Sequence, residues 1–401
     1  MVSSEKVDLE ADAIESAAVA ARPARILFVG SIDQDNPRTL KLFHAYRKAG
    51  YDVRFIGMDR LKRNPRKCMM DDMPCEYLTR GWGYSNWKLI FGYQIWIVKA
   101  FLYCMRADVE LLHSFELDSG LPAGVAGWLR GIPHIYDVQD NYDLRHDWPW
   151  PLKPLIRFVD RWVIRHAKGV IVPDQNRVVG PFAGFDEKIA IMPNCPPDVP
   201  RPANLPPRDA RLTVLAMGHL SQGRGIDLLL DAAASLPQVR LLMAGRFTEP
   251  ELEKKALAMP QVDFRGWIAW EQAIGLGYQA DAVFAFYDPA SEMNLRANAQ
   301  KWFDAMMTAT PVISNAEIAN AAWITREDFG YLVPFGDVGA LRKLLEQIAA
   351  DPGTARAKGQ RGRKLFEEKY NWAVMERKLL QLAREKAGVA PARAQQQAGG
   401  A

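Results

Sequence analysis

The run AVFAFY (282–287) is apolar and too short for a helix, and a second apolar run opens at PVI (311–313) after one helical stretch. A strand, a helix and another strand make a parallel crossover, because a tight turn cannot join two parallel strands. Strands apolar at nearly every position are covered on both faces. This unit therefore commits the chain around it to an α/β layer structure. The connecting stretch, DPASEMNLRANAQKWFDAMMTATP (288–311), predicts a loop and then a helix from about Asn298 to Thr308, with Asn298 as its N-cap. Lys301 and Asp304 follow Asn298 at helical spacing, so the three share one face. Trp302, Phe303, Met306 and Met307 cover the rest. A buried helix with a polar ridge at its N-terminus can take an anion such as a diphosphate. Lys301 adds charge there, and Asp304 can accept hydrogen bonds from a ribose diol. The plainer reading is a surface ridge on a core helix.

The same unit recurs on both sides of a Pro-rich break. ARILFVG (24–30), a helix over Thr39–Ala49 and YDVRFIG open the first series, and VELLHSF (109–115), GIPHIYDVQDNYD (131–143), GVIVPD and IAIMPNC continue it. Then comes PPDVPRPANLPPRD (196–209). RLTVLAMGHLSQGRGIDLLLDAAASL starts a second series, with strands at VRLLMAGR, VDFRG, DAVFAFY, PVISN and YLVPF. A chain of 401 residues divides naturally in two. The expected divisions are a disordered tail over 1–22, a Rossmann-like domain over 23–200, a linker over 201–210, a second domain over 211–370, a C-terminal helix over 371–387 and a disordered tail over 388–401.

Ligands of open parallel sheets lie beyond the carboxyl ends of the strands. Asn36 and Arg38 follow the first strand, and His113, Gln139 and Asp140 stand at or after later ones, so all could meet a ligand there. A lone histidine after a strand is more often a hydrogen-bonded structural residue. The loop SIDQDNPRT carries no GxGxxG after Gly30, which argues against a dinucleotide enzyme. Asp33 and Asp35 form a DxD that could hold a metal, although two loop acids are usually just solvated. The net charge of +4 gives no case for nucleic acid. Cys68, Cys75, Cys104 and Cys195 match no zinc spacing and fit a reducing compartment. With no secretory signal visible, a cytoplasmic protein is expected.

Residues 78–105 interleave Trp82, Trp87 and Trp96 with Arg80, Lys88 and Lys99, and a helix over 152–168 carries Arg157, Arg161 and Arg165 four residues apart. The uncharged run is too short to span a bilayer. The two stretches read either as a core helix and a solvated face, or as a surface that touches the inner face of a membrane.

Five motifs, in order, resemble family 4 glycosyltransferases. IMPNC is similar to their "iPNG", and MGHLSQGRGIDLLLDA to "vGrL…KGid.Ll.A". AQKWFDAMMTATPVIS resembles "..nKlfEyMa.G.PVia", FGYLVPFGD resembles "tGllv.pgD", and YNW fits "ysW". The resemblance covers roughly residues 24–385. It implies a GT-B fold, two Rossmann-like doubly wound domains facing a cleft, with no metal and no cofactor. The donor would be a nucleotide diphosphate sugar on the second domain. A sugar or lipid-linked acceptor would lie on the first. The reaction implied is transfer to an acceptor hydroxyl in polysaccharide or glycolipid assembly, generally with retention. Carried over by position, Arg224 and Lys301 face the diphosphate, Gly218 lets the backbone approach it, and Asp304 takes the ribose. His219, Gly245 and Asn298 complete the donor-side set; Asn36, Arg38 and His113 are the acceptor-side set; Gln139, Asp140 and Glu292 are the catalytic candidates. The chain departs from the pattern at several points. His219 replaces an Arg, Asp304 a Glu, Gln139 a His and Ala309 a Gly. Arg296 stands where the first Glu of E-x7-E belongs, and Glu292 in the same loop could substitute. Those departures keep a second possibility open, a non-catalytic partner that retains the fold.

Overall fold

The computed structural model describes residues 22–31, 36–83, 88–144, 149–150, 152–205, 209–296 and 299–391, with side chains from Phe91 onward in the helix that begins at Lys88. Asp33, Asp35, Asn298 and nearly all of both expected tails lie outside them. The chain forms two compact units, Met1–Ile191 together with Glu376–Ala401, and Met192–Met375.

The first unit holds an eight-stranded sheet among the described residues, in the order β3-β4-β2-β1-β5-β6-β7-β8. Its strands are β1 (Arg25–Gly30), β2 (Asp52–Asp59), β3 (Lys67–Met70), β4 (Met73–Arg80), β5 (Leu111–Phe115), β6 (His134–Asp137), β7 (Gly169–Val172) and β8 (Ile189–Ile191). All neighbours are parallel except β3, which runs antiparallel at the edge. The helices are α1 (Pro37–Lys48), α2 (Lys88–Cys104), α3 (Leu117–Arg130) and α4 (Leu152–His166). Right-handed crossovers place α1 on one face and α2, α3 and α4 side by side on the other. Leu27, Val29, Trp96, Leu112 and Ala123 make the core under α2 and α3. Tyr136, Val163 and Val170 continue it under α4. The β3–β4 hairpin has no counterpart in the sequence reading. Its β3 strand, KCMM, carries neither a β-branched residue nor a turn signal of the usual kind, and Asp71 and Asp72 make the turn with positive φ.

The second unit holds a six-stranded, all-parallel sheet, β11-β10-β9-β12-β13-β14. Its strands are β9 (Leu212–Leu220), β10 (Val239–Phe247), β11 (Val262–Phe264), β12 (Ala282–Ala285), β13 (Val312–Asn315) and β14 (Gly330–Val333). The helices are α5 (Ile226–Ala233), α6 (Pro250–Leu257), α7 (Trp270–Gly277), α8 (Glu292–Leu295), α9 (Gln300–Met307), α10 (Ala321–Arg326), α11 (Val338–Ala350), α12 (Pro352–Glu368) and α13 (Trp372–Gln381). Val214, Leu241, Phe284 and Ile313 from the strands pack with Leu230 and Leu341 from the helices.

Two divisions differ from the expectation. Residues 192–200 belong with the second unit, because they are anchored there. Arg363 grips both oxygens of Asp198 at 2.8 and 2.7 Å, and Tyr278 Oη donates to the Val199 carbonyl at 2.6 Å. The backbone N–H of Trp372 donates to the Pro196 carbonyl at 2.9 Å. Proline content marks a stiff segment, not an undocked one. The terminal helix is not a separate element either. From Glu376 the chain belongs to the first unit, where Tyr51 Oη donates to the Val389 carbonyl at 2.8 Å.

Candidate functional site

Strand β9 sits between β10 and β12, so the sheet order reverses there and leaves a crevice at the carboxyl ends. Gly218 and Gly245 face each other in register on β9 and β10. Gly218 has φ of +91°, a region L side chains avoid. A Cβ on Gly245 would lie 1.9 Å from the Gly218 carbonyl oxygen. The floor of the crevice is therefore bare backbone. Above it lies a cavity of about 270 Å³ lined by Gly218, Gly245, Trp267, Trp270, Lys301 and Asp304 among others.

Helix α9 supplies the cation. Trp302, Phe303, Met306 and Met307 are fully buried, and this fixes the helix and leaves Lys301 at the cavity edge. The helix begins at Gln300, two residues later than expected, and its N-cap position is Ala299, with no side-chain cap. Arg224 comes from the turn before α5, where Gly225 takes φ of +65° with Phe286 only 3.0 Å from its would-be Cβ. The Arg224 guanidinium lies 4.1 Å from the ring centroid of Tyr287, and Lys301 Nζ lies 5.8 Å from the same ring. One aromatic ring thus positions two cations. Arg224 Nη1 is buried with no hydrogen-bond partner among the described residues. The turn and the loop after β12 are tied by the Asp288 N–H donating to the Gly223 carbonyl at 3.0 Å.

The other donor-side residues separate. Gly218, Gly245, Lys301 and Asp304 meet at one cavity. His219 is exposed beside Arg246 in register on β10. Glu292 is not part of the cavity lining; it is half exposed and pairs with Arg296 at 3.4 Å across one turn of α8. Sequence reading missed Trp267 and Trp270. Trp267 lies in the loop after VDFRG and Trp270 is the first residue of α7; no periodicity marks a site there, and the two tryptophans flanking Ile268 and Ala269 were the available signal. Trp270 Nε1 is a buried donor with no partner among the described residues.

At the strand ends of the first unit the expected residues do come together, but as a buried network. Arg38 Nε donates to Asp137 at 3.1 and 3.2 Å, and His113 Nε2 lies 3.8 Å from the same carboxylate. Tyr46 Oη and His113 Nδ1 are 3.3 Å apart. Burial works against the Asp137 carboxylate, yet Arg38 and His113 hold it below its usual range. Burial also pushes His113 down, against the pull of Asp137. Arg38 and His113 expose 1% and 0% of their surface, so both are enclosed. Asn36 caps α1 by accepting from the Arg38 N–H at 2.9 Å. The Gln139 N–H donates to Glu116 at 3.2 Å, and Asp140 is paired with Arg177 at 2.6 Å. Asp140, one of the two carboxylates expected to act in chemistry, is thus paired with a nearly buried arginine.

Residues 36–194 match the family model described as glycosyl transferase 4-like domain, and residues 211–351 match glycosyl transferases group 1. The lipopolysaccharide core biosynthesis glycosyltransferase LpsE of Rhizobium meliloti is 26% identical over 215 residues, 52% of this chain and 58% of that protein. The chain thus matches little more than half the length of that relative. Alpha-maltose-1-phosphate synthase of Mycolicibacterium smegmatis is 25% identical over 317 residues, 69% of this chain and 79% of that protein. Among solved structures, sucrose-phosphate synthase from Thermosynechococcus elongatus aligns with a TM-score of 0.68 at 19% identity, covering 90% of this chain and 98% of its own. HepE from Anabaena, in complex with UDP, aligns with a TM-score of 0.65 at 15% identity, covering 88% and 98%. At such identities the structures speak for the fold alone. With both family segments present, in order and together running from residue 36 to residue 351, the chain belongs to the GT-B glycosyltransferases of the family 4 kind.

Proposed function

We propose that the chain transfers a sugar from a nucleoside diphosphate sugar to an acceptor hydroxyl, in polysaccharide or glycolipid assembly. One observation carries this reading: Arg224 and Lys301 face one tyrosine ring beside a floor of bare backbone. When the bond from the anomeric carbon to the diphosphate breaks, its electron pair leaves with the diphosphate. Two fixed cations stabilise that charge as it develops. They stand in for a divalent ion, so the donor site works without metal. Asp304 accepts from the ribose diol, and Trp267 and Trp270 form the wall against which the base stacks. The acceptor hydroxyl oxygen forms the new bond to the anomeric carbon, its proton passes to the oxygen of the departing diphosphate, and the anomeric configuration is retained. HepE, the structural relative solved with UDP, supports a uridine nucleotide as the first one to try.

We place the enzyme in the cytoplasm, with its acceptor carried at a membrane surface that the protein touches. Among the described residues no helix is long and apolar enough to cross that membrane. Calorimetry with UDP and GDP, with and without EDTA, tests the donor site; binding that vanishes on chelation overturns the metal-free reading. A hydrolysis screen over nucleotide sugars, with mass spectrometry of lipid-linked products, tests the transfer. Absence of turnover with every donor, despite nucleotide binding, would overturn the enzymatic reading.

A further inference from the structure

Helix α2 is apolar on two sides. Gly92, Trp96, Ala100 and Cys104 form the buried stripe against the sheet. Phe91, Ile95, Val98 and Leu102, again at helical spacing, are 55%, 39%, 57% and 42% exposed. A helix apolar on every side is normally enclosed. Between α2 and α3 lies a hollow of about 480 Å³ lined only by apolar residues, Val98, Phe101, Leu102, Leu121 and Val125 among them. Trp128 and Leu129, exposed at the end of α3, extend the same layer.

Leu102 also lines a second and larger cavity, of about 590 Å³, at the amino-terminal side of β1 and β5. Arg22, Arg25, Arg54, Arg66, Lys99 and Arg106 line it, with Asp108 as the carboxylate. Some of that charge is spent. Arg25 is paired with Asp108 and Glu110, Arg54 with Asp52 at 3.5 Å, and Arg66 with Glu76 at 3.7 Å. Lys99 Nζ meets only the Leu78 carbonyl, at 3.1 Å, and the Arg106 side chain has no partner among the described residues. The floor is carbon, from Leu27, Leu78, Leu102 and Val109.

A soluble anion makes no use of the exposed stripe, and an apolar protein face makes no use of the cations. An anionic amphiphile uses both. We propose that the α2–α3 layer of the first unit docks on an anionic phospholipid surface. The lipid phosphate enters the basic cavity at Lys99 and Arg106, and the acyl region covers the stripe from Phe91 to Leu102. This rests on the membrane contact proposed above and assigns it a face. It also moves the cationic part away from α4. There Arg157 is taken by Asp143 at 2.6 Å, and Arg161 by the carbonyls of Pro181 and Ala183 and the ring of Phe185.

The test is flotation of the full chain with vesicles of phosphatidylcholine alone and of equal parts phosphatidylcholine and phosphatidylglycerol. The mixed vesicles should carry the protein at low salt and release it at high salt. Lys99→Glu with Arg106→Glu should reduce that binding by about tenfold or more. Lys343→Glu with Lys364→Glu, the same change of net charge on the second unit, should leave it unchanged. Phe91→Ser with Val98→Ser should reduce binding at low salt, with the thermal melt and UDP affinity of the wild type. Equal binding to both vesicle types overturns the proposal. So does a wild-type signal that neither pair of first-unit changes reduces, in which case membrane contact stands and lies elsewhere. No binding to either vesicle overturns the membrane contact itself. Self-association by light scattering that Phe91→Ser with Val98→Ser abolishes would show the face to be an interface between copies instead.

Discussion

Lys301 Cε and Nζ both lie 3.7 Å from the point that a Cβ on Gly218 would occupy. The ammonium group therefore hangs over a strand end that is stripped of side chains. Replacing either residue disturbs one site from opposite sides.

Lys301→Ala and Arg224→Ala should each weaken nucleoside diphosphate binding by about 1.5–3 kcal/mol, the value of a charge-assisted contact. The melt should not move for Lys301→Ala, which is only half buried. Gly218→Ala should weaken binding too, and should also cost roughly 1–2 kcal/mol of stability through its positive φ. Calorimetry and denaturant titration separate the two effects. Unchanged affinity in both cation variants would remove the site from β9.

Asp304→Asn should discriminate between sugars of the nucleotide. The carboxylate is 4% exposed and reaches the cavity. Affinity for UDP should fall by about 1.5–3 kcal/mol, while affinity for 2′-deoxyUDP or 3′-deoxyUDP falls less. An equal loss for all three would make Asp304 a structural residue.

Ala309 is in the left-handed region, φ of +55°, at the position where the family pattern has glycine. An L side chain there costs roughly 1–2 kcal/mol, and glycine returns part of that as unfolded-state freedom. Ala309→Gly should raise stability by about 0.5–1 kcal/mol. Gly359→Ala should lower it by more than about 2 kcal/mol, because its Cβ would lie 2.0 Å from the Ala309 carbonyl oxygen. Urea unfolding of the full chain reads both, and a loss of stability in Ala309→Gly would contradict the strain.

Burial pushes the Asp160 carboxyl up to about 7, against an ordinary value of 3.8. Tyr136 Oη donates to it at 2.9 Å, and the Asp143 charge adds to the shift. The protonated form fits the fold, so its contribution is complete below about pH 4 and is lost as pH rises through about 7. Asp160→Asn keeps the neutral shape. It should stabilise the protein by on the order of 2–4 kcal/mol at pH 8 and by nothing at pH 4. Melts of variant and wild type at the two pH values check this; equal gains at both would show an ionisation-independent effect.

The strands and crossovers were legible because apolar runs and helical spacings are local. That Gly218, Lys301 and Asp304 would lie together was also legible, since the motif order carries their spacing. Partners distant in sequence were not. Nothing near Arg38 announces that Asp137 will neutralise it, or that Arg177 will pair with Asp140. Arg38 and Asp140 were expected near a ligand cleft, and each lies in an ion pair. The anchoring of residues 192–200 was hidden for the same reason, as Arg363 lies far along the chain from Asp198.

The return of the chain to the first unit at Glu376 has a consequence for synthesis. Lys378 Nζ donates to the Ile191 carbonyl at 3.2 Å, Lys48 pairs with Glu376 at 3.0 Å, and Leu382 lies against Gly169. Domains fold as they emerge from the ribosome. The unit that emerges first therefore waits, one helix short, while the whole of the other unit is made. Between those moments the surfaces around Tyr51 and Gly169 have no cover of their own. A nascent chain stalled anywhere in the second unit leaves them open to chaperones and proteases, whereas the second unit, one unbroken segment, can be exchanged between relatives as a single graft.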